Sequence, residues 1–167
     1  MALSKVEERF VLHWGEMGTK WGINRTVAQI HALLYLSPNP MHAEEITETL
    51  GVARSNVSNS LRELQGWGLV KVVHVLGDRR DHFETMTNVW EMFEVILDER
   101  KRREIDPTLH MLRELKDATK DGTGRAAYTA ERVTDMLSFV EIMTQWYAGM
   151  RSMPQPALRK FFTMGAK

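Results

Sequence analysis

The sequence predicts a mainly α-helical fold in which three helices and a β-hairpin form a small core, with further helices before and after it. Apolar residues recur at helical spacing over most of the chain. Gly51 separates two such helical patterns by only a few residues, which predicts a tight turn between two packed helices. Farther along, the segments 69–75 and 82–86 flank the turn signal Gly77-Asp78, which predicts the hairpin.

Composition and charge limit the class of protein. Of the 167 residues, 43% are hydrophobic and 26% are charged, as in ordered globular proteins. Lys plus Arg and Asp plus Glu each number 22, and this zero net charge argues against a non-specific polyanion binder. The absence of cysteine excludes disulfides and thiolate metal sites. Because we find neither a secretory signal nor an apolar run of about 18 residues, we expect a cytoplasmic protein without a membrane partner.

Two helices are predicted before the tight turn. Ser4 and Glu7 form the Ser-x-x-Glu pattern that marks a helix start, and an apolar stripe follows. Asn24 is predicted to cap a second helix, which ends before Pro38 because proline cannot continue the hydrogen-bond ladder. The predicted inward positions are Val6, Phe10, Trp14 and Met17 in the first helix, and Val27, Ile30, Leu33 and Leu34 in the second.

A helix-turn-helix is predicted next. A short helix runs from about Ala43 to Leu50, and Gly51 is placed to end it in the left-handed conformation. A second helix covers roughly Arg54 to Gln65, with Val57, Leu61 and Leu64 facing inward. In such a unit the second helix can lie in the major groove of DNA.

The outward positions of this second helix carry the candidate DNA-binding residues. They combine short donors and acceptors with two arginines, although serine and asparagine are unfavourable in helix interiors. Asparagine can pair with adenine, arginine with guanine, and serine with bases or phosphates. The candidates are Arg54, Ser55, Asn56, Ser58, Asn59 and Arg62, and Ser60 is placed on the same face. In the alternative interpretation, Ser55 and Asn56 only cap the helix and the rest is a solvated surface.

The predicted hairpin, called the wing below, carries charged residues at its tip. Arg79 and Arg80 follow Gly77-Asp78, and an arginine on a projecting turn can enter a narrow minor groove. Asp78 is predicted to orient Arg80 through a carboxylate–guanidinium pair. The alternative is a polar turn with solvated arginines, but the helix-turn-helix that precedes the wing favours contact with DNA.

The rest of the chain is predicted to be helical from Asn88 onward. The predicted landmarks are a helix start at Asp106-Pro107, a loop at Lys120–Gly124, a long helix capped by Thr129 and ending near Met150, and a short helix isolated by Pro154 and Pro156. The basic run Arg100–Arg103 can touch phosphates, or it is a solvated face flanked by acidic residues.

The long helix is predicted to form a dimer. One apolar stripe has the alternating steps of three and four residues that are typical of a coiled-coil seam. The predicted dimerisation residues are Val133, Met136, Val140, Met143, Tyr147 and Met150, with a second stripe at Leu137, Phe139, Ile142 and Trp146. The alternative is that this helix packs only within its own chain.

The residues 50–64, 68–70 and 77–80 resemble MarR-type winged helix-turn-helix regulators, and the segments 10–24 and 90–93 look like the GbsR branch of that group. The resemblance implies a dimer whose second helices enter successive major grooves while the wings reach minor grooves. By carry-over, Arg54, Ser55, Asn56, Ser58 and Asn59 face bases or phosphates, and Arg80, supported by Asp78, is the wing arginine. Ala53 departs from the pattern, because such proteins often have a capping serine or threonine there. We expect an N-terminal dimerisation helix over 1–22, a DNA-binding domain over 23–87 and a helical dimerisation region over 88–167.

We also expect a small-molecule effector, for which the sequence gives less information than for DNA binding. The resemblance to the GbsR branch implies choline or glycine betaine, and an aromatic cage can hold a quaternary ammonium group. Tryptophans at helical spacing otherwise belong to cores; the five are Trp14, Trp21, Trp67, Trp90 and Trp146. No effector-binding residue can be assigned from the sequence.

The sequence therefore predicts a sequence-specific regulator of transcription that binds double-stranded DNA as a homodimer on an inverted repeat. We expect a repressor, because such a dimer would occlude promoter DNA. The alternative is a winged-helix adaptor that binds proteins and does not recognise bases. We find no catalytic motif, so we expect neither an enzyme nor a cofactor or metal; of the six histidines only His74 and His82 form a weak pair across the hairpin.

Overall fold

The computed structural model describes residues 2–119 and 123–164. The chain divides into two compact units, Met1–Ile96 and Leu97–Lys167. The first unit contains a three-helix core with a β-hairpin, and the second contains helices. The predicted mainly α fold with a winged helix-turn-helix is confirmed. Residues 120–122 of the predicted Lys120–Gly124 loop lie outside the described residues.

The helices and strands follow the predicted order, with one strand added. The first unit has α1 (Lys5–Lys20), α2 (Arg25–Leu36), β1 (Met41–His42), α3 (Ala43–Leu50), α4 (Arg54–Gly66), β2 (Val70–Val73) and β3 (His82–Thr85). The chain continues with α5 (Val89–Arg100), a π-helical segment (Lys101–Ile105), α6 (Asp106–Ala118), α7 (Arg125–Arg151) and α8 (Gln155–Met164).

The predicted starts of α1 and α2 are confirmed. The Ser4 backbone N–H donates to the Glu7 carboxylate at 2.7 Å, and the Glu7 N–H donates back to the Ser4 hydroxyl at 3.3 Å. Asn24 caps α2 by accepting the Thr26 N–H at 2.8 Å. These caps satisfy backbone donors that the first helical turn leaves without partners.

The predicted inward face of α1 is partly wrong. Val6 is 79% exposed, and the buried residues of α1 are Val11, Gly15 and Gly18. The two glycines allow α1 to lie close to α2, because a Cβ at Gly18 would stand 2.5 Å from the Ala28 Cβ. Close helix packing therefore depends on small residues that a search for large apolar side chains overlooks.

The helix-turn-helix is built as predicted around a buried core. Gly51 ends α3 with a φ of +63°, a conformation that favours glycine. The core contains the predicted inward residues of α4 together with residues of α2 and α3: Ile30, Leu33, Ile46, Val57, Leu61 and Leu64. This packing fixes the direction in which α4 presents its polar face.

The sheet has a third strand that the sequence did not predict. Its order is β1-β3-β2, with antiparallel pairing throughout. The register pairs His42 with His82 on one side of β3 and Val73 with His82 on the other. The two wing strands are shorter than the predicted segments 69–75 and 82–86.

In the second unit α6 begins at Asp106, so the helix start predicted at Asp106-Pro107 is confirmed, but the predicted caps at Asp106 and Thr129 are wrong. Asp106 has helical φ and ψ of −62° and −43°, and its N–H donates to the Lys101 carbonyl in a π-helical turn. Because Pro107 has no N–H to donate, a widened turn there lets the helical backbone continue without a new cap. Thr129 lies inside α7, where its hydroxyl donates to the Arg125 carbonyl at 3.0 Å. The predicted end of α7 and the helix isolated by the two prolines are confirmed.

The second unit has a small core between α6 and α7. Leu109 and Leu112 of α6 pack with Leu137 of α7, and Val133 and Val140 lie against them. Among the described residues, no helix is both long and apolar enough to cross a membrane.

Candidate nucleic-acid interface

The outward face of α4 is polar and exposed. All six candidate residues of this helix, Arg54, Ser55, Asn56, Ser58, Asn59 and Arg62, are exposed. Ser60, which the sequence placed with them, is only 5% exposed, so its predicted position was wrong. Ser60 lies three residues after Val57 and next to Leu61, and it is therefore on the packed side of the helix.

The N-terminal end of α4 has no side-chain cap within the described residues. Ala53 occupies the N-cap position with an extended backbone and makes no side-chain hydrogen bond to the first turn. Helix N-termini carry backbone N–H donors and a partial positive charge, which together favour phosphate oxygens. The departure at Ala53 noted in the sequence thus leaves this helix end open to an anion.

Two side-chain contacts orient the arginines of α4. Arg54 pairs with Glu44 of α3, with 2.8 Å between Nη2 and Oε1. Arg62 donates from Nη1 to the Asn59 amide oxygen at 3.3 Å. Both contacts are exposed, so they bias the side-chain conformations without locking them.

The wing arginine is held more firmly. The Arg80 Nε lies 2.9 and 3.0 Å from the two carboxylate oxygens of Asp78, and the Arg80 Nη2 donates to the same carboxylate. The Arg80 backbone N–H also donates to Asp78, at 3.0 Å. These hydrogen bonds hold the pKa of the Asp78 carboxyl well below its usual range, the side-chain contribution of Arg80 being the largest. Arg79 is exposed and forms no ion pair within the described part of the chain.

A polar hollow of about 180 Å³ lies between the N-terminus of α2 and the α4 face. Thr26 lines it together with Asn56 and Asn59. The sequence identified Asn24 as the cap of α2 but gave no sign that this helix end lies beside the candidate base-contacting residues. That juxtaposition depends on the crossing of α2 and α4, which local patterns do not reveal.

His74 and His82, which show a weak ligand spacing across the hairpin in the sequence, differ in burial. His74 is exposed, whereas His82 is buried. The ring of His82 contacts the ring of His42 in a T-shaped arrangement, with 5.5 Å between the ring centroids. His42 also caps α3, a role in which its ring nitrogen accepts the Glu45 N–H. The sequence gives no sign of this pair, because β1 has only two residues and is defined by its pairing with β3.

An aromatic cavity of about 220 Å³ lies in the first unit, outside the α4 face. Phe10, Trp14 and Tyr35 line it together with the buried His31. Burial lowers the pKa of His31 to about 4, so its ring is neutral at pH 7. The His31 Nε2 is buried and has no hydrogen-bond partner in the described part of the protein. Of the five tryptophans, only Trp14 lines this cavity.

The predicted dimerisation residues of α7 fall on two different faces. Val133 and Val140 pack against α6, Met150 is buried, and the Tyr147 hydroxyl donates to Asp98. Met136 and Met143 are exposed, and so are Phe139, Ile142 and Trp146 of the second stripe. The exposed residues that follow steps of three, four and three are called the α7 stripe below: Met136, Phe139, Met143 and Trp146.

The first unit combines a three-helix core, a polar outward face on α4 and a hairpin with arginines at its tip. These features define a winged helix-turn-helix domain. Residues 21–81 of this chain match the model of the MarR family. One solved structure, described as a transcriptional regulator, aligns with a TM-score of 0.58 at 21% identity over 95% of this chain and 99% of that chain. It shows the shared fold.

Two curated relatives come from Bacillus subtilis (strain 168). YvaV, which is named an HTH-type transcriptional regulator, is 23% identical over 91 residues, or 54% of this chain and 51% of YvaV. OpcR, which is named an HTH-type transcriptional repressor, is 22% identical over 91 residues, or 54% of this chain and 49% of OpcR. The chain thus spans about half the length of the curated relatives it matches.

Proposed function

We propose that this protein is a transcriptional regulator that binds a specific double-stranded DNA sequence as a homodimer. The observation that carries the proposal is the combination of an exposed polar α4 face with a wing arginine that Asp78 orients. The packed core beneath α4 keeps its amide and hydroxyl groups on one side, where they can meet base edges together.

Each part of the interface has a distinct task in this proposal. Asn56 and Asn59 contact base edges in the major groove, because an amide can both donate to and accept from adenine. The uncapped start of α4 and Arg79 bind phosphates, which fix the position of the domain on the duplex. Arg80 enters the minor groove, where narrow A·T-rich stretches attract arginine.

The homodimer rests on the α7 stripe. Soluble monomers rarely expose large continuous apolar patches, and Met136, Phe139, Met143 and Trp146 are all at least 46% exposed. Their spacing is that of a coiled-coil seam, and the equivalent stripe of a second copy would complement it. Two-fold symmetry of the protein then requires an inverted repeat in the operator.

Repression and an effector complete the proposal. A dimer that covers promoter DNA represses transcription, in agreement with the name of the relative OpcR. We place the effector in the aromatic cavity and the protein in the GbsR-like branch. Aromatic faces attract the quaternary ammonium group that both ligands carry. Choline fits this cavity better than glycine betaine does, because the neutral His31 can hydrogen-bond the hydroxyl of choline. The carboxylate of glycine betaine meets no cationic lining residue.

Selection from randomised duplex DNA tests the proposal directly. We expect an enriched inverted repeat whose half-sites lie about one helical turn apart. Replacing Asn56 with Ala should relax the preference at one position of each half-site. Failure to enrich any motif would refute specific recognition.

Charge reversal separates a DNA-binding regulator from a protein-binding adaptor. Arg80→Glu should abolish binding to the selected operator, because it places a carboxylate against the minor groove. The matched control is Arg9→Glu, which makes the same charge change on exposed α1. Equal losses in the two variants, or no loss in either, would favour the adaptor.

A further inference from the structure

The polar hollow beside α4 contains a buried hydroxyl group without a partner. Ser60 is 5% exposed and lines this hollow together with Thr26 and Val27 of α2. A helical hydroxyl often donates to the carbonyl one turn earlier, as Thr47 does to Ala43 at 2.9 Å. Ser60 makes no such bond, and its hydroxyl has no hydrogen-bond partner among the described residues. This donor is therefore available to a group that enters the hollow.

The first turn of α2 supplies a second donor without a partner. The Asn24 side chain accepts the Thr26 N–H at 2.8 Å, and the Asn24 carbonyl accepts the Ala28 N–H at 3.1 Å. Between them, the Val27 N–H has no acceptor in the described part of the chain, although Val27 is only 2% exposed. Buried backbone N–H groups are rarely left unpaired, so this one indicates a bound water molecule or a ligand in the hollow.

The charges around the hollow favour an anion. The first turn of α2 has no acidic residue and begins with the exposed Arg25. A helix N-terminus is already partly positive, so an arginine at this end is unfavourable unless an anion lies beside it. Glu63 is the acidic residue that lines the hollow, and it already takes part in another interaction. An anion in the hollow meets the helix end, Arg25 and two unused donors, against one carboxylate.

The hollow lies where phosphates pass if α4 enters the major groove. Asn56 and Asn59 line it, and both are exposed on the face proposed to contact bases. The major groove is about 12 Å wide and a helix with its side chains is about 10–12 Å in diameter, so phosphates border an inserted helix on both flanks. The hollow occupies the flank of α4 that faces α2, and its volume of about 180 Å³ is several times that of a water molecule, about 30 Å³. A phosphate group of the bordering strand can therefore enter it.

We propose that Ser60 and the first turn of α2 form a binding site for one backbone phosphate in each operator half-site. This inference rests on the proposed function, and it adds α2 to a contact surface otherwise assigned to α4 and the wing. The Ser60 hydroxyl and the Val27 N–H donate to phosphate oxygens, as serines and helix N-termini do in other complexes with DNA. Because Val27 belongs to the packed core, the site fixes the angle at which α4 enters the groove.

Ser60→Ala tests this site, because it removes the hydroxyl and leaves the size of the side chain nearly unchanged. We expect binding to the selected operator to weaken about tenfold per protomer, the usual effect of losing a hydrogen bond to a charged group. The salt dependence and the base preferences should stay the same, since neither a charge nor a base contact is lost. Ser138→Ala, the same change at an exposed serine of α7, should leave the affinity unaltered.

A measurement of stability separates a phosphate contact from a role in folding. The Ser60 hydroxyl has no partner in the described chain, and alanine favours a helix more than serine does. The free energy of unfolding of Ser60→Ala should therefore equal or exceed that of the unchanged protein. Weaker binding together with undiminished stability is the result that the phosphate site predicts.

Uncharged phosphate analogues locate the contact on the DNA. A methylphosphonate replaces one operator phosphate at a time and removes its charge. At one position in each half-site, this replacement should weaken binding of the unchanged protein strongly and that of Ser60→Ala much less, because the hydroxyl and the phosphate form one contact. At every other position the two proteins should lose the same factor. Arg25→Gln should weaken binding and also reduce its salt dependence, since it removes a charge.

Three results would overturn the inference. The first is an operator affinity of Ser60→Ala equal to that of the unchanged protein, and the second is an equal loss for the two proteins at every methylphosphonate position. The third is a lower free energy of unfolding for Ser60→Ala, which would show that the hydroxyl serves the fold. Failure of the unchanged protein to bind any selected duplex would instead refute the proposed function.

Discussion

Gly18 offers a test of how closely α1 and α2 are packed. Replacing glycine with alanine inside a helix normally stabilises it by about 1 kcal/mol. At Gly18, however, the added Cβ would stand 2.5 Å from the Ala28 Cβ, and the Cα of Ala28 lies 4.0 Å away. Neither neighbour is the end of a flexible side chain, so one helix must move, and such overpacking costs about 1–3 kcal/mol.

Because the gain in helix propensity offsets about 1 kcal/mol of this cost, we expect Gly18→Ala to lower the free energy of unfolding by up to about 2 kcal/mol, measured by urea denaturation followed by circular dichroism. Gly15→Ala is the matched control on the same helix. Its added Cβ would meet Gln29 Cγ at 2.6 Å, and that long side chain can change rotamer. Gly15→Ala should consequently cost less than Gly18→Ala or be neutral.

A compensating substitution sharpens this test. The double variant Gly18→Ala with Ala28→Gly moves the methyl group from one helix to the other and removes the clash. We expect it to be more stable than the sum of the two single changes predicts, by about 1–3 kcal/mol of coupling. Additive changes, or a Gly18→Ala variant more stable than the unchanged protein, would refute the close packing.

Three further predictions concern the wing, the α7 stripe and the aromatic cavity. Asp78→Asn should weaken operator binding, because Arg80 loses its orienting partner, and it should strengthen binding to unrelated DNA, because a negative charge disappears. Competition anisotropy measures both affinities. Asp81→Asn makes the same charge change and should leave operator binding unchanged. Met143→Glu should convert the dimer to monomer in sedimentation velocity without loss of fold, whereas Gln145→Glu should not. His31 has its pKa lowered from 6.5 to about 4, so its stabilisation is fully present above pH 6.5 and is lost as the pH falls toward 4. Between pH 7 and pH 5 the free energy of unfolding, measured with urea, should fall by about 2 kcal/mol more in the unchanged protein than in His31→Leu. Equal decreases would show that the His31 ring is not buried in its neutral form.

Local signals determined most of what the sequence predicted correctly. Ser4, Asn24 and Gly51 each act within one helical turn, through a cap or a positive φ, so their roles are visible without tertiary structure. Apolar spacing likewise predicted the buried face of α4, because one packed side is enough to produce it.

Several of the wrong or missing predictions depend on partners that are distant in the chain. The strand β1 exists through its pairing with β3, and His42 is recognisable as a cap only once that pairing is known. On α7, apolar residues cover two faces, and only contact with α6 decides that Leu137 is buried while Met136 is exposed. The spacing of apolar residues indicates how wide the apolar face of a helix is, but it does not indicate which part of that face packs against the core of the same chain.

The zero net charge and the pairing of the interface arginines have a common physical consequence under the proposed function. A binder that relies on bulk positive charge releases many counterions, and its affinity falls steeply with salt. Here Arg54 and Arg80 each carry a carboxylate partner, and Arg79 is the wing arginine without one among the described residues. Binding to unrelated DNA must break or share these pairs without gaining base contacts, so it is disfavoured, whereas the operator offsets that cost through Asn56 and Asn59. We infer that selectivity in this protein comes from holding its cations in place before DNA arrives rather than from having many of them.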